Sequence, residues 1–143
     1  MLEPLRFHYD VDGENFTSAG EASVDIKKKL RQLGVSSEVI RRVSIAMYEG
    51  EINMVIHAHG GDADVYVTPE TIEIVLSDKG PGIANIDQAM QEGFSTAPDN
   101  IRTLGFGAGM GLPNMKRYTD EMTIESTVGV GTTIRMKVNT AGR

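Results

Sequence analysis

The chain of 143 residues contains no cysteine and no tryptophan, and aromatic residues make up only 6% of it. Without cysteine it can form no disulfide framework, offer no thiol nucleophile and build no cysteine-ligated metal site. His8 and His59 have no partners at metal-ligand spacing along the chain, so we expect no zinc site either. This composition fits the cytoplasm, which is the location we expect.

Long apolar runs and clustered basic charge are also missing. No segment approaches the roughly 18 apolar residues of a membrane-spanning helix, and the first residues lack the pattern of a secretion signal. The formal net charge of −6 argues against a nucleic-acid footprint. The one basic cluster, Lys27 to Lys29 with Arg31, favours a solvated helix face, with a docking patch for an acidic partner as the alternative. We therefore expect no membrane and no nucleic acid among the partners.

Hydrophobic periodicity predicts one domain over residues 1–143. Alternation over Leu5 to Val11 predicts a strand, and apolar spacing over Ser18 to Leu33 predicts a helix. Ser36 or Ser37 caps a second, longer helix that runs to the glycines at 60 and 61. The remaining predictions are strands at 65–68, 71–77, 122–127 and 133–138, short helices at 86–91 and 113–118, and a frayed tail at 139–143.

This order of elements predicts an α/β protein. With 40% hydrophobic and 24% charged residues, the composition lies in the range of globular domains. A mixed but mostly antiparallel sheet covered on one face by helices makes a two-layer α/β sandwich.

Two glycine motifs indicate a nucleotide pocket. They are Asp78-Lys79-Gly80-Pro81-Gly82-Ile83 and the segment from Gly105 to Leu112, which has glycine at every second position. Closely spaced glycines let the backbone approach a ligand and turn its amides toward phosphate oxygens. Neither motif has the strand–GxGxxG–helix context of a dinucleotide site or the Gly-Lys-Ser/Thr of a P-loop.

The long helix carries three polar residues at a spacing of four, Glu49, Asn53 and His57. This spacing places them on one face of the helix. Taken alone, such a stripe is more often the solvent-exposed face of an amphipathic helix than a functional site.

Together the motifs resemble the GHKL ATP-binding family, which includes histidine kinases, type II topoisomerases and anti-sigma-factor serine kinases. Glu49 to Ala58 matches its N box, Asp78 to Ile83 its first glycine box and Gly105 to Leu112 its second, while Gly129 to Thr133 resembles its last motif. The resemblance covers nearly the whole chain and implies the Bergerat ATP-binding fold. Among small members, the bacterial partner-switching kinases of the RsbT and RsbW types are the most similar.

The resemblance implies ATP and Mg²⁺ as cofactors. The amide oxygen of Asn53 would be a metal ligand, and Glu49, one helical turn away, would be the general base for an acceptor hydroxyl. Asp78 would accept a hydrogen bond from the adenine amine. The hydroxyl of Thr132 or, with the motif shifted by one residue, of Thr133 would support it, either directly or through water. The cofactor-binding set implied in this way is Asn53, Asp78, Gly80, Gly82, Gly105, Gly107, Gly109, Gly111, Leu112 and Thr132, in which the glycines from 105 to 111 would form the hinge of a lid.

The implied function is that of an ATP- and Mg²⁺-dependent serine/threonine protein kinase that acts on a small STAS-type regulatory protein. A nucleotide-gated module that sequesters a sigma factor or another regulator without phosphorylating it is the alternative. Homodimerisation is compatible with both. Gly50 departs from the family pattern, in which a small alanine or a leucine follows the glutamate, and it weakens the helix by roughly 1 kcal/mol.

Overall fold

The computed structural model describes residues 3–12, 20–58, 60–83, 85–86, 90 and 111–140. Within these ranges lie five strands and three helices. Their bounds are β1 (Leu5–Asp12), α1 (Glu21–Gln32), α2 (Ser37–Ala58), β2 (Gly60–Val67), β3 (Thr71–Asp78), α3 (Gly111–Arg117), β4 (Glu121–Thr127) and β5 (Gly131–Asn139). No helix among these described residues has the length and apolar character that a bilayer crossing requires.

The strands form one sheet in the order β1-β2-β3-β5-β4. All four pairings among the described residues are antiparallel, which agrees with the prediction of a mostly antiparallel sheet. Strands joined by short connections pair as hairpins, and β5 inserts between β3 and β4. As a consequence Asp78, at the end of β3, faces Thr132 at the start of β5.

The helices cover one face of this sheet, as predicted. Alternate residues of β3, namely Ile72, Ile74 and Leu76, are buried beneath them, whereas the residues between are only half-buried. The core also contains α1 and α2 side chains, among them Ile26, Leu30, Val43 and Met47, which are fully buried. The two-layer α/β sandwich is therefore confirmed.

The helix α2 approaches β3 unusually closely at Gly50. A methyl group added there would lie 2.0 Å from Leu76 Cδ1 and 3.5 Å from Met115 Sδ. Since Leu76 and Met115 are both buried, neither can move away without disturbing the core. The glycine therefore exchanges some helix propensity for a close contact between helix and sheet.

Two predicted boundaries are wrong. We expected Gly60 and Gly61 to end the long helix, but they are the first residues of β2. Gly61 is required there because an added methyl group would lie 2.4 Å from the Ser77 carbonyl oxygen on the neighbouring strand. The second boundary concerns the predicted frayed tail. Asn139 belongs to β5, and Thr140 donates its backbone N–H to the Glu70 carbonyl at 2.9 Å, so neither residue is frayed. Residues 141–143 lie outside the described part.

The helix α1 has no side-chain cap of its own. Gly20 precedes it with φ of +98°, and the cap comes from Glu51 in the middle of α2. The Glu51 carboxylate accepts hydrogen bonds from the backbone N–H groups of Gly20 at 3.0 Å, Ala22 at 3.2 Å and Ser23 at 2.7 Å. Glu51 is 2% exposed, and this burial raises the pKa of its carboxyl while the three amides oppose the shift.

The outer face of the sheet carries an acidic cluster around His8 that spacing along the chain did not reveal. The strand register places Asp64 opposite His8, and Nδ1 lies 2.8 Å from its carboxylate. The other ring nitrogen, Nε2, lies 3.1 Å from Asp10 and 3.7 Å from Asp62, while Arg6 also pairs with Asp64. Hydrogen bonds to Asp64 and Asp10 raise the pKa of His8. Both ring nitrogens are thus engaged in an exposed ion-pair cluster.

Gly50→Ala is expected to lower the free energy of unfolding by about 1 kcal/mol, because overpacking against Leu76 outweighs the gain in helix propensity. Chemical denaturation of Gly50→Ala, Leu76→Val and the double variant measures this. The Leu76→Val change should cost less in the Gly50→Ala background than alone, because it removes the methyl group that clashes. Equal costs in both backgrounds would contradict the steric account.

His8→Gln is expected to flatten the dependence of stability on pH above 6.5. Because the folded-state pKa of His8 is raised above its ordinary value of 6.5, its contribution is fully present below that pH and is lost as pH rises through the folded-state pKa. Burial lowers the pKa of His57 below its ordinary value of 6.5. Its effect on stability is therefore confined to pH values below about 6.5, where it makes the protein less stable as pH falls. Urea denaturation at several pH values between about 6.5 and 8.5 measures the free energy of unfolding. This free energy should fall less steeply with rising pH in the variant than in the wild type. An unchanged slope would show that the cluster does not couple to folding.

Candidate nucleotide site

Three segments meet at the end of the sheet where β3 finishes: the C-terminal half of α2, the residues after Asp78, and the start of α3. Glu49, Asn53 and His57 lie on one face of α2, and all three are half-buried. The spacing argument for this stripe is therefore consistent with the structure. Burial lowers the pKa of the His57 imidazole, which favours its neutral form.

Asn53 faces the first residue of α3. A methyl group added to Gly111 would lie 3.2 Å from Asn53 Oδ1, so glycine leaves space beside this oxygen that any other residue would fill. An amide oxygen next to an open space suits a hard cation such as Mg²⁺, which takes oxygen ligands and keeps several waters. The residues present thus fit the metal that the resemblance implies, and Asn53 is the residue that would hold it.

Glu49 is contacted by a residue of α3 that sequence reasoning did not single out. Asn114 Nδ2 donates a hydrogen bond to Glu49 Oε1 at 3.4 Å. Asn114 lies just after the second glycine motif, and its sequence context assigns it no role. Nothing along the chain could have indicated that it reaches a residue 65 positions earlier.

Asp78 is held in place by two backbone amides. Its Oδ1 accepts hydrogen bonds from Gly80 N at 2.9 Å and from Thr132 N at 3.2 Å. Both bonds use the same oxygen, so among the described residues Oδ2 accepts no hydrogen bond. A carboxylate fixed in this way at a strand end can present an acceptor of defined direction.

The Thr132 hydroxyl does not bond directly to Asp78 in the structure. Thr132 supports Asp78 through its backbone N–H, while its hydroxyl pairs with Ser126 Oγ at 2.8 Å. The alternative, Thr133, pairs with Ser77 at 3.3 Å, and because neighbouring strand residues point to opposite faces it lies away from Asp78. Thr132 is therefore the residue of this pair that adjoins Asp78.

Ser126 is a second residue that the sequence did not reveal. Its Oγ accepts the backbone N–H of Ile83 at 2.7 Å and so joins the first glycine motif to the hairpin of β4 and β5. In the same region Gly129 N donates to the Pro81 carbonyl at 2.8 Å. The only available signal would have been the pairing of hydroxyl residues across the final hairpin, which places Ser126 opposite Thr132.

Packing within the protein requires glycine at positions 80 and 82. A methyl group on Gly80 would lie 2.6 Å from Ala58 Cβ at the end of α2. Gly82 has φ of +79°, and an added methyl group would lie 2.5 Å from the Thr127 carbonyl oxygen. The loop after Asp78 therefore fits between α2 and the final hairpin only because these positions lack side chains.

The second glycine motif is only partly described. Gly105, Gly107 and Gly109 lie outside the described residues, as does the predicted helix at 86–91 except for Ile86 and Met90. Gly111 begins α3, two residues earlier than predicted, and Leu112 is buried at 6% exposure. Leu112 therefore packs into the core beneath the site.

Comparison with known proteins identifies the class. A model of the family described as the histidine kinase-like ATPase domain matches residues 16–138, and the chain belongs to this family. This confirms the resemblance to GHKL proteins that the motifs indicated.

Several curated relatives are named anti-sigma F factor. The protein of this name from Caldanaerobacter subterraneus is 34% identical over 73% of this chain and 73% of its own length. The one from Priestia megaterium is 31% identical over 81% of this chain and 80% of its own. That from Geobacillus thermodenitrificans is 29% identical and covers 96% of this chain and 91% of its own length.

Solved structures share the fold at low identity. The crystal structure of the RsbU and RsbW domains of a Mycobacterium tuberculosis protein superposes with a TM-score of 0.61 at 16% identity over 94% of this chain. This chain spans about a third of that protein, 32% of its length. The mycobacterial sensor histidine kinase MprB gives a TM-score of 0.54 at 17% identity, covering 94% of this chain and 97% of its own.

Asp78→Ala is expected to lower the free energy of unfolding by about 1–3 kcal/mol, because two amide donors lose their acceptor. Asp78→Asn keeps an oxygen in the Oδ1 position and should cost clearly less. Urea denaturation of both variants measures the difference. If the two variants are equally unstable, the carboxylate does not act through the bonds to Gly80 and Thr132.

Proposed function

We propose that the chain is an ATP- and Mg²⁺-dependent protein kinase that phosphorylates a serine or threonine of a small STAS-type regulatory protein in a bacterial partner-switching system. The observation that carries this proposal is the arrangement of Glu49 and Asn53. They occupy one face of α2, directly beneath α3, with a hydrogen bond on Glu49 and an open space beside the Asn53 oxygen. We place its action in the cytoplasm.

Each residue has a separate task in this proposal. Asp78 Oδ2 accepts a hydrogen bond from the adenine amine, while Oδ1 keeps its hydrogen bonds from the backbone N–H groups of Gly80 and Thr132. Asn53 holds the metal, which when bound neutralises charge on the phosphates and orients them. Glu49 lies one turn of α2 before Asn53 and would accept the proton of the acceptor hydroxyl.

The reaction that these residues support is phosphoryl transfer. The acceptor hydroxyl oxygen forms a bond to the γ-phosphorus of ATP, its proton passes to the Glu49 carboxylate, and the bond from phosphorus to the ADP oxygen breaks. Positioning and charge neutralisation lower most of the barrier in such reactions. A general base contributes about 10²- to 10⁴-fold in rate.

The names of the relatives support a regulatory partner. Proteins named anti-sigma F factor match most of this chain. By analogy we propose that this chain also binds a sigma factor or another regulator, and that phosphorylation of the STAS-type protein determines which partner is bound. The same names favour a second candidate, a nucleotide-gated module that sequesters its regulator without transferring phosphate.

Glu49→Gln separates the two candidates. Gln keeps an oxygen that can accept from Asn114 but cannot take a proton from a hydroxyl, so ATP binding should persist while phosphoryl transfer falls about 10²- to 10⁴-fold. The measurement is mass spectrometry of the STAS-type protein encoded nearest to this chain after incubation with ATP and Mg²⁺. Glu70→Gln serves as a matched control, since Glu70 is exposed in the turn at the opposite end of β3 from Asp78.

A gain of one phosphate on serine or threonine, retained in Glu70→Gln and lost in Glu49→Gln, would support the kinase. Phosphate gain that persists in Glu49→Gln would remove Glu49 from the mechanism. If the wild type binds ATP and its regulator but transfers no phosphate, the sequestering module is the better description.

A further inference from the structure

We propose that Asn114 is a positioning residue for the general base, through which the placement of α3 controls whether Glu49 is aligned for proton transfer. This inference rests on the proposed function and extends it to a residue on the opposite helix. Asn114 lies outside the N box, which contains both Glu49 and Asn53.

The geometry fixes how the Asn114 amide is oriented. Its Nδ2 lies 3.4 Å from Glu49 Oε1, and its Oδ1 lies 3.5 Å from Arg117 Nη1, one turn later on α3. A guanidinium can only donate hydrogen bonds, so the amide oxygen must face Arg117. The amide nitrogen is then directed at the carboxylate, and the donor cannot exchange places with the oxygen without losing both bonds.

The bond to Asn114 constrains one oxygen of the base. A glutamate side chain has three rotatable bonds, and a half-buried one without a partner would sample several positions. When Oε1 is held by Asn114, Oε2 remains to receive the proton of an acceptor hydroxyl. A base that is displaced by about 1 Å can lose on the order of 10²-fold in rate, so a single orienting bond is sufficient to matter.

The same helix also touches the proposed metal ligand, which couples the two. Gly111 and Asn114 are one turn apart on α3, and they face Asn53 and Glu49, which are one turn apart on α2. Met115, fully buried and close to Gly50, anchors α3 between these two contacts. A movement of α3 away from α2 would therefore release the base and change the surroundings of Asn53 in one step.

A double-mutant cycle between Asn114 and Glu49 tests this role. Asn114→Leu keeps the approximate size of the side chain and removes the donor, Asn114→Ala removes both, and Lys116→Ala is the control on the exposed side of α3. Each is made in the wild type and in Glu49→Gln. The readouts are kcat and KM for ATP with the STAS-type acceptor, together with the melting temperature.

Both Asn114 variants are expected to lower kcat by about 10- to 100-fold with KM for ATP unchanged. In the Glu49→Gln background they should cause no further loss, because the base they position is already absent. Lys116→Ala should behave as the wild type in both backgrounds. A packing role would instead leave Asn114→Leu active, and an independent contribution would give the same loss in both backgrounds; either result overturns the inference.

Failure of the proposed function has a different signature. If the wild type transfers no phosphate to the acceptor, the kinase proposal fails, and the same cycle is measured on ATP hydrolysis, in which Glu49 would orient water. Non-additive loss there supports the positioning role without the kinase. Additive loss, or a protein that neither transfers nor hydrolyses, overturns it.

Discussion

The close contact between α2 and β3 at Gly50 is the constraint on which the rest of the molecule depends. Glu49 and Glu51 flank this glycine, so its contact with Leu76 determines the direction in which both carboxylates leave the helix. Glu49 emerges toward α3 and Glu51 toward the start of α1. A helix held farther from the sheet would move Asn53 away from Gly111 and Ala58 away from Gly80. The departure from the family pattern at Gly50 is therefore a packing requirement of this chain.

The loop after Asp78 requires glycine for packing within the protein, and the same lack of side chains would let a nucleotide approach its backbone. Gly80 and Gly82 are needed for the loop to pass between α2 and the final hairpin, whether or not a ligand is present. Asp78 is held by the amides of this loop and of β5 without any ligand. If Asp78 recognises adenine as proposed, its carboxylate is already positioned, which reduces the entropic cost of binding.

Sequence reasoning succeeded where a signal lies within one element and failed where it depends on contacts between elements. Periodicity located every described strand and helix, and the spacing of Glu49 and Asn53 placed them correctly on one face. Gly60 and Gly61 were misassigned because glycine ends helices often, whereas here it permits close strand pairing. The contacts of Asn114, Ser126, Glu51 and His8 include partners far apart in sequence. The direct contact from Thr132 to Asp78 is made by the backbone N–H, which no sequence motif specifies.

The non-local cap on α1 has a consequence for how the chain folds. The acceptor for its first amides is Glu51, which lies 28 to 31 residues later in the sequence. An isolated peptide spanning α1 would lack that acceptor, and a helix of 12 residues is marginal in water without one. The first turn of α1 can therefore become stable only when α2 is formed and docked against it. The two helices should appear together during refolding, as one cooperative unit that precedes or accompanies closure of the sheet.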